Sequence, residues 1–367
     1  MSITDYKCIG CGAAIQTDDL KKPGYVDKKV LENLNGSFIC KRCFLLKHYN
    51  KTMEVEMNDD FYLKTLSEIG KTDSLICNII DIFDFSGTFM SNIKRLTLQE
   101  DIIIVANKRD LLPKSIKDEH LVKFIRHMAN KEGVKVLDVV IVSAKSGNGI
   151  EELMDKIDKH RKGRKIYFVG TTSVGKSTLL NSIVKKYTDA RNDIITTSNI
   201  PGTTLDFIEI IYEDTYLVDT PGILNKKQIY NYLPDELRKM ITPKKEIKPV
   251  VYQLNPKQTI FIGGFAIMDF VCGESSSFVF YFSEGLILHR TKLENKERMR
   301  KRIVDEIIQK LDIEHQSFDK RSFAIKNDGK KYDIVIAGLG FFSVKGNVKI
   351  NMEVIKDVGL YLRESVI

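Results

Sequence analysis

The motif between residues 170 and 177 constrains this chain more than any other feature of its sequence. It reads GTTSVGKS and fits the pattern G-x-x-x-x-G-K-[ST]. The apolar run 165–169 before it predicts a strand, and residues 178–184 after it predict a helix. A glycine-rich loop in that setting points backbone N–H groups at phosphate oxygens. The sequence therefore predicts a phosphate-binding loop in an α/β fold, in which Lys176 reaches the β- and γ-phosphates and Ser177 holds Mg²⁺.

Two short motifs downstream would complete the phosphate side of a nucleotide site. The run DTPG begins at Asp219, which can hold Mg²⁺ through a water molecule, and ends at Gly222, whose N–H can meet the γ-phosphate. The run PGTT ends at Thr204, and a threonine in a mobile loop can close on Mg²⁺ and the γ-phosphate and let go after hydrolysis. We choose Thr204 over its neighbour Thr203, and an ordinary turn is the alternative interpretation of this run.

Two motifs upstream have the chemistry to recognise a guanine base. In the run NKRD, Asp110 can accept two hydrogen bonds from the guanine N1–H and 2-amino groups, a donor pair that adenine lacks. Asn107 would hold the base edge and the loop, and the stem of Lys108 would lie over the base plane. Taken alone, this run is also compatible with a polar turn between a strand and a helix.

The second upstream motif, SAK, begins at Ser143 after an apolar run that predicts a strand. The Ala144 N–H would meet guanine O6, and Lys145 would pack on the base. These base-contacting motifs precede the phosphate-contacting ones, whereas an ordinary small GTPase has the opposite order. The chain therefore resembles the circularly permuted GTPases, and a parallel sheet tolerates such a permutation because the site depends on which strand ends meet.

Four of the six cysteines form two Cys-x-x-Cys pairs near the start of the chain. Two such pairs can complete a tetrahedral four-sulfur zinc site that leaves no open position for catalysis. The segment between the pairs holds few large apolar residues, so a metal would have to stabilise it. The predicted ligands are Cys8, Cys11, Cys40 and Cys43. Buried inert thiols and redox-active thiols are the alternatives, and the remaining two cysteines, Cys77 and Cys272, are predicted to be core thiols in apolar strands.

The positive charge of the chain is concentrated in its last two-fifths. The 367 residues carry a net charge of +8, and residues 224–367 contribute seven of it, with 25 Lys and Arg against 18 Asp and Glu. A composition of 43% hydrophobic and 29% charged residues excludes wholesale disorder, a collagen-like fibre and a small disulfide scaffold. The surplus predicts an anionic partner for the C-terminal part.

The C-terminal part alternates short apolar runs with turns, which predicts mainly β-strands, at 259–265, 278–282, 285–288 and 334–339. The run His289–Arg302 holds seven basic and two acidic residues and predicts a helix that continues to Leu311. Phosphate contact is favoured slightly over a solvated helix face for this run. Three phenylalanines offer stacking faces for RNA bases, although each is better explained as a core residue: Phe265, Phe341 and Phe342.

The double Cys-x-x-Cys segment, the permuted motifs and the basic C-terminal part together resemble the YqeH family of bacterial ribosome-assembly GTPases. The motif match covers residues 8–43 and 100–222. The resemblance implies GTP hydrolysis in small-subunit assembly, with GTP or GDP, Mg²⁺ and Zn²⁺ as cofactors. The implied partners are the small ribosomal subunit or its precursor and rRNA. The predicted parts are a zinc-binding module (1–57), a circularly permuted P-loop GTPase domain of α/β fold (58–225) and a basic, mainly β or α+β C-terminal domain (226–367) that contacts RNA or the ribosome.

The predicted site residues follow from these motifs. The catalytic residues are Lys176, Thr204, Asp219 and Gly222, and the Mg²⁺ ligands are Ser177, Thr204 and Asp219. The nucleotide-binding residues are Asn107, Lys108, Asp110, Ser143, Ala144, Lys145, Gly170, Ser173, Val174, Gly175, Lys176, Ser177 and Thr178. Ile223 stands where many GTPases have a Gln that positions the attacking water, so we expect slow intrinsic hydrolysis. Ser173 stands where potassium-using relatives often have Asn, which leaves potassium dependence open.

Two other functions remain compatible with the sequence. One is a GTP-dependent translation or RNA-modification factor, and the other is a GTP-stabilised RNA-binding protein without a switch role. The set of Ser177, Thr204 and Asp219 favours turnover over the second of these. The N-terminus lacks an apolar signal region, and no window approaches 18 consecutive apolar residues, so we expect a cytoplasmic protein without a membrane partner.

Overall fold

The chain forms two compact units. The computed structural model describes residues 6–8, 13–20, 22–31, 38–49, 56–57, 69–99, 101–187, 208–311 and 317–367. The first unit comprises Met1–Ile82, Thr88–Arg109 and Asp118–Leu224. The second comprises Phe83–Gly87, Asp110–Lys117 and Asn225–Ile367. The second unit thus includes two short segments from the first third of the chain, which the motif pattern did not predict.

The described elements alternate between helices and strands at first and are mainly strands later. The helices are α1 (Lys28–Leu31), α2 (Lys41–Tyr49), α3 (Phe85–Thr88), α4 (Ile93–Thr97), α5 (Asp118–Lys131), α6 (Ile150–Arg161), α7 (Lys176–Tyr187), α8 (Asp235–Ile241), α9 (Lys296–Ile303) and α10 (Asp305–Ile308). The strands are β1 (Glu56–Met57), β2 (Ser74–Asp81), β3 (Ile102–Asn107), β4 (Asp138–Ile141), β5 (Lys165–Gly170), β6 (Ile208–Tyr212), β7 (Thr215–Asp219), β8 (Gly222–Ile223), β9 (Val250–Leu254), β10 (Gln258–Ile262), β11 (Ala266–Gly273), β12 (Ser276–Phe282), β13 (Leu288–Lys292), β14 (Phe318–Ile325), β15 (Tyr332–Ile336), β16 (Gly340–Val344), β17 (Val348–Ile355) and β18 (Leu360–Glu364). Within the described ranges, no helix has both the length and the hydropathy needed to cross a membrane.

A six-stranded sheet with the order β4-β3-β2-β5-β7-β6 forms the centre of the first unit. Its neighbouring strands are parallel except for the antiparallel pair β6 and β7. Every residue of β2 and β3 is buried, which explains why both strands are almost continuous apolar runs in the sequence. Helix α7 packs on the sheet through Leu179, Leu180 and Ile183, which share a core cluster with Phe168 of β5.

The path of the chain through this sheet positions the motifs. The chain enters at β2 in the middle, runs outward through β3 to the edge strand β4, and returns to β5 on the other side of β2. The carboxyl ends of β3, β4, β5 and β7 lie at one edge of the sheet because these strands are parallel. Each of the four strands is followed by one motif, so one sheet edge gathers motifs that are far apart in the sequence.

The N-terminal segment of the first unit has a small core. The apolar residues Ile15, Val26 and Phe38 cluster with three cysteines. Its backbone pairs are isolated bridges, such as the one between Cys8 and Phe38. Farther along, β1 pairs in parallel with β8, and Glu56 lies opposite Gly222. Among the residues of this segment that the structure describes, this small apolar cluster is compatible with the expectation that a metal stabilises the segment.

Two five-stranded antiparallel sheets build the second unit. Their orders are β13-β10-β11-β17-β14 and β18-β15-β16-β12-β9, and one core cluster takes residues from both. The rings of Phe280 and Phe342 lie 5.2 Å apart in that core. Phe265, Phe341 and Phe342 are fully buried, so the interpretation as core residues is confirmed and that as stacking faces is wrong.

The two short segments from earlier in the chain join this unit through specific hydrogen bonds. The buried Asp84 carboxylate accepts them from Gln228 Nε2 at 2.9 Å and from the Gly338 N–H at 2.8 Å. In the other segment, the Leu111 carbonyl accepts the Ile247 N–H at 2.9 Å. Residues 83–87, shortly after β2, and residues 110–117, which begin with the last residue of the NKRD run, are therefore part of the fold of the second unit.

The helix predicted from His289 to Leu311 is confirmed in its later part, at α9 and α10, but its predicted start is wrong. Residues up to Lys292 form β13, which pairs with β10, and the helix α9 begins at Lys296. Pairing with a sheet neighbour decides the conformation here because the local sequence has no strong preference. The strand predicted at 285–288 is also wrong, because β13 begins only at Leu288.

The two cysteines outside the N-terminal segment differ from each other. Cys77 is fully buried in β2, as predicted, and burial raises the pKa of its thiol. The prediction that Cys272 is a core thiol is wrong, because the structure leaves it exposed. The register between β11 and β17 shifts between Phe270 and Cys272. This bulge takes the end of the strand away from the core.

Candidate functional site

The glycine-rich loop has the tight turn that its motif predicts. Gly170 ends β5 and Lys176 begins α7. Within the loop, Ser173 and Gly175 have φ angles of 65° and 84°, in the left-handed region. A Cβ atom on Gly175 would lie 2.5 Å from Asn107 Nδ2, so the loop approaches Asn107 too closely for any side chain.

Asn107 connects the base-contacting motifs with the phosphate loop. It is buried, and its Nδ2 donates a hydrogen bond to the Val174 carbonyl at 2.9 Å. Its Oδ1 accepts the Ala144 N–H at 2.9 Å. The Ala144 N–H, which the sequence analysis assigned to guanine O6, donates to Asn107 in this structure. Three separate motifs thus meet at one buried amide.

Lys108 is held by a residue that sequence reasoning missed. Its backbone is left-handed, with φ of 67°, and its Nζ lies 2.7 Å from Asp81 Oδ2. Asp81 ends β2, the strand next to β3. An acidic residue at the end of a buried parallel strand is the signal that would have indicated it. The ion pair fixes the direction of the Lys108 stem.

The other predicted base-contacting residues differ in burial. Asp110 lies in a single 3₁₀ turn, Arg109–Leu111, and is half-buried. Ser143 is buried, and its Oγ accepts the Ser146 N–H at 3.3 Å. Lys145 is exposed. Asp110 and Lys145 therefore each keep part of their surface exposed.

The phosphate loop and the DTPG run are joined directly. The Thr172 N–H donates to the Ile223 carbonyl at 2.8 Å. A Cβ atom on Gly222 would lie 3.2 Å from Thr172 Cγ2, so this glycine is closely approached as well. The neighbouring Thr220 hydroxyl donates to the Phe168 carbonyl at 2.8 Å. Thr203 and Thr204 lie outside the described residues.

Two cations meet the Asp219 carboxylate. Lys176 Nζ contacts its Oδ1, and both side chains are about 1% exposed. Arg42 Nη2 lies 3.3 Å from its Oδ2 and is also buried. Sequence reasoning did not find Arg42, because 177 positions separate it from Asp219 and nothing in its surroundings resembles a nucleotide motif. Ser177, the predicted Mg²⁺ ligand that follows Lys176, is buried too.

Three of the four predicted zinc ligands come together. The sulfurs of Cys8, Cys40 and Cys43 lie within 4.8 Å of one another, and all three residues are buried. The Cys40 N–H donates to Cys8 Sγ at 3.1 Å. Cys11 lies outside the described residues. Sulfurs around a tetrahedral Zn²⁺ lie about 3.8 Å apart, so this donor set fits zinc.

Comparison with known proteins adds two family models and several relatives. A model described as 50S ribosome-binding GTPase matches residues 165–260, and one described as YqeH-like, C-terminal, matches residues 275–366. The Bacillus subtilis protein described as uncharacterized protein YqeH is 43% identical over 367 residues, covering 98% of this chain and 99% of its own length. The first model therefore begins at β5, and the two motifs predicted to contact guanine lie upstream of it.

More distant similarities cover less of the partner chains. The Arabidopsis thaliana NO-associated protein 1, chloroplastic/mitochondrial, is 28% identical over 392 residues, covering 92% of this chain and 69% of its own. The crystal structure of YjeQ from Thermotoga maritima has a TM-score of 0.26 and 25% sequence identity, covering 45% of this chain and 53% of that one.

Proposed function

The chain belongs to the YqeH family of GTPases, and from this premise we propose that it uses GTP hydrolysis as a switch in the assembly of the small ribosomal subunit. The observation that supports the nucleotide site most strongly is the buried Asn107, which bonds the phosphate loop and the SAK run at once. The order of strands in the sheet supports the circular permutation, because the base-contacting strands β3 and β4 precede β5 in the chain.

Each motif has one role in this proposal. The loop N–H groups of residues 170–178 would bind the phosphates at the N-terminus of α7, with Lys176 turned toward the β- and γ-phosphates. Asp110 would accept the guanine N1–H and 2-amino groups. Ser177, Thr204 and Asp219 would hold Mg²⁺, which neutralises charge on the phosphates. Gly222 would donate its N–H to the γ-phosphate.

Slow intrinsic hydrolysis is part of the proposal. Ile223 has no side-chain group that can orient a water molecule, and its carbonyl accepts the Thr172 N–H. A GTPase without a side chain for that task hydrolyses GTP slowly until a partner supplies the missing group. The ribosomal particle is the proposed partner.

Zinc binding is a separate part of the proposal. Cys8, Cys40 and Cys43 would bind Zn²⁺ together with Cys11. Such a four-sulfur site is structural, because no ligand position remains for substrate.

The contact with the ribosome would use the C-terminal unit. The surplus of seven positive charges in residues 224–367 supports contact with rRNA. Part of the basic run 289–302 is used internally, because Lys296 and Arg300 pair with Glu353. Phosphate contact would therefore come from the exposed basic residues of the unit. A cytoplasmic location follows from the proposed ribosomal partner.

The test is phosphate release by the full chain with GTP or ATP, alone and with isolated small or large ribosomal subunits. We expect GTP to be used far better than ATP, and small subunits to accelerate turnover. Asp110→Asn should lower kcat/KM for GTP about 10- to 100-fold, because a charged group that accepts hydrogen bonds from guanine is lost. Asp155→Asn, on the exposed face of α6, is the matched control.

The outcomes separate the alternatives. Equal use of ATP and GTP would refute the role of Asp110. Stimulation by large subunits only would move the proposal to the other particle, which the name of the matched family model mentions. Turnover that no particle changes would favour a GTP-dependent factor acting on another RNA. Tight binding without turnover would favour a GTP-stabilised RNA-binding protein.

A further inference from the structure

Arg42 stands inside the cysteine segment and reaches the nucleotide site. It is the second residue of α2, between Cys40 and Cys43 in the sequence. Its side chain is buried, and its Nη2 lies 3.3 Å from Asp219 Oδ2. The two residues belong to the same compact unit. One side chain therefore joins the predicted zinc ligands to the predicted Mg²⁺ ligand.

The two oxygens of Asp219 have different partners. Lys176 contacts Oδ1 and Arg42 contacts Oδ2. In the proposed function, Lys176 would turn to the phosphates of GTP, and Asp219 would then be able to use Oδ1 to help hold Mg²⁺. A carboxylate has acceptor capacity on both oxygens, so Arg42 can stay on Oδ2 at the same time. The pair with Arg42 then sets the orientation of the carboxylate toward Mg²⁺.

A buried guanidinium is costly unless it is paired. A short apolar side chain at this position would avoid that cost. The arginine found here instead pairs with Asp219, a predicted residue of the nucleotide site. In the sequence, Arg42 stands between Cys40 and Cys43. The sulfurs of these two cysteines lie within 4.8 Å of each other and of Cys8 Sγ. Helix α2 begins one residue after Cys40, so the same short segment carries Arg42 and two of the clustered cysteines.

We propose that Arg42 is a positioning residue of the nucleotide site, which holds Asp219 in the orientation that Mg²⁺ requires and makes this site depend on the cysteine cluster. The inference rests on the proposed function, since it takes Asp219 as a Mg²⁺ ligand. It adds a direction of coupling: a change at the cysteine cluster alters magnesium binding at a residue 177 positions away.

The experiment measures binding of a fluorescent GDP analogue to the full chain while Mg²⁺ is varied. Arg42→Ala should raise the Mg²⁺ concentration for half-maximal binding about tenfold, which is the expected effect of losing a hydrogen bond to a charged group. Arg42→Lys should restore part of this loss, because it keeps the charge without the planar fork. Binding without Mg²⁺ should change little in either variant.

Three further variants make the result specific. Arg161→Ala removes exposed ion pairs with Glu213 and Asp214 from the same unit and should leave the Mg²⁺ dependence unchanged. Cys8→Ser should shift it in the same direction as Arg42→Ala, although Cys8 is not part of the nucleotide site. In an Asp219→Asn background, Arg42→Ala should have no additional effect, because the two residues act through one contact.

The outcomes distinguish this inference from the function on which it rests. An unchanged Mg²⁺ dependence in folded Arg42→Ala, as judged by circular dichroism, overturns the inference. If that variant does not fold, Arg42→Lys decides: wild-type Mg²⁺ dependence in both Arg42→Lys and Cys8→Ser refutes it. If the wild-type chain binds guanine nucleotide without any response to Mg²⁺, the proposed function itself fails.

Discussion

Both units of this protein bury charged side chains, but they pair them differently. In the first unit, Lys176 and Arg42 meet Asp219 beside loops that follow the parallel strands. In the second, Arg363 pairs with Asp333 within an antiparallel sheet. Lys176 and Asp219 are assigned to the nucleotide and Mg²⁺ in the proposed function, so their mutual contact would exchange when ligand binds, whereas Arg42 would stay on Asp219. The second set has no ligand in the proposed function, so its contacts are permanent.

The difference shows that a buried charged side chain can serve either the stability of the fold or the binding of a ligand. A buried charge must be compensated, and the compensation can come from another side chain or from a ligand. In the second unit, Lys296 lies between Asp269 and Glu353, and both ion pairs are inside the unit. Substitutions there should lower stability, whereas substitutions at the strand ends of the first unit should mainly lower turnover.

The largest expected effect is on stability in the second unit. Arg363→Met leaves the fully buried Asp333 carboxylate without its cation, which should lower the free energy of unfolding by about 3–5 kcal/mol. Urea unfolding followed by circular dichroism measures this loss. Lys330→Met, which removes an exposed pair with Glu364, is the control and should cost much less, because solvent screens that pair. Equal losses in the two variants would contradict the permanent role of the buried pair.

The next effect is on turnover in the first unit. Lys176→Ala removes the cation assigned to the β- and γ-phosphates, and GTP hydrolysis should fall about 10²- to 10³-fold, as when one electrostatic donor is lost. Phosphate release at saturating Mg²⁺ measures it. Lys186→Ala, at the exposed end of the same helix, should retain wild-type rates. A modest loss in Lys176→Ala would mean that its contact with Asp219 is structural, like the pairs of the second unit.

The smallest effect is on the pH dependence of stability. Burial acts to raise the pKa of the Glu353 carboxyl, but Lys296 and Arg300 outweigh it and hold this pKa below its usual value of about 4.3. Because the folded pKa is the lower one, the stabilisation is complete above the unfolded pKa and is lost as the pH falls through the folded pKa. Wild type should therefore lose more stability than Glu353→Gln as the pH falls from 5 to 3.

Thermal unfolding midpoints between pH 3 and 7 measure this difference. Glu297→Gln, on the exposed side of α9, is the control and should follow the wild-type curve. Parallel curves for wild type and Glu353→Gln would show that the charge cluster around Lys296 contributes no linkage to protonation.

Much of the first unit could be predicted from local sequence. The runs that form β2, β3 and β5 are apolar because parallel strands are buried on both faces, and polar motifs follow β3 and β5. The start of the helix predicted from His289 was wrong because β10 offered a sheet partner, which local propensity does not register. Cys272 was misjudged because a bulge cannot be read from an apolar run.

The sequence by itself determined which motifs are present: a phosphate loop, an NKRD run predicted to contact guanine, and two cysteine pairs. It also determined the permuted order of the nucleotide motifs. These features are local, and short-range patterns of residue type specify them. Only the tertiary structure decided which buried groups meet, such as Asn107 with Val174 and Arg42 with Asp219. Those pairs are distant in the chain and depend on which strand ends and helix starts the fold brings within hydrogen-bonding distance.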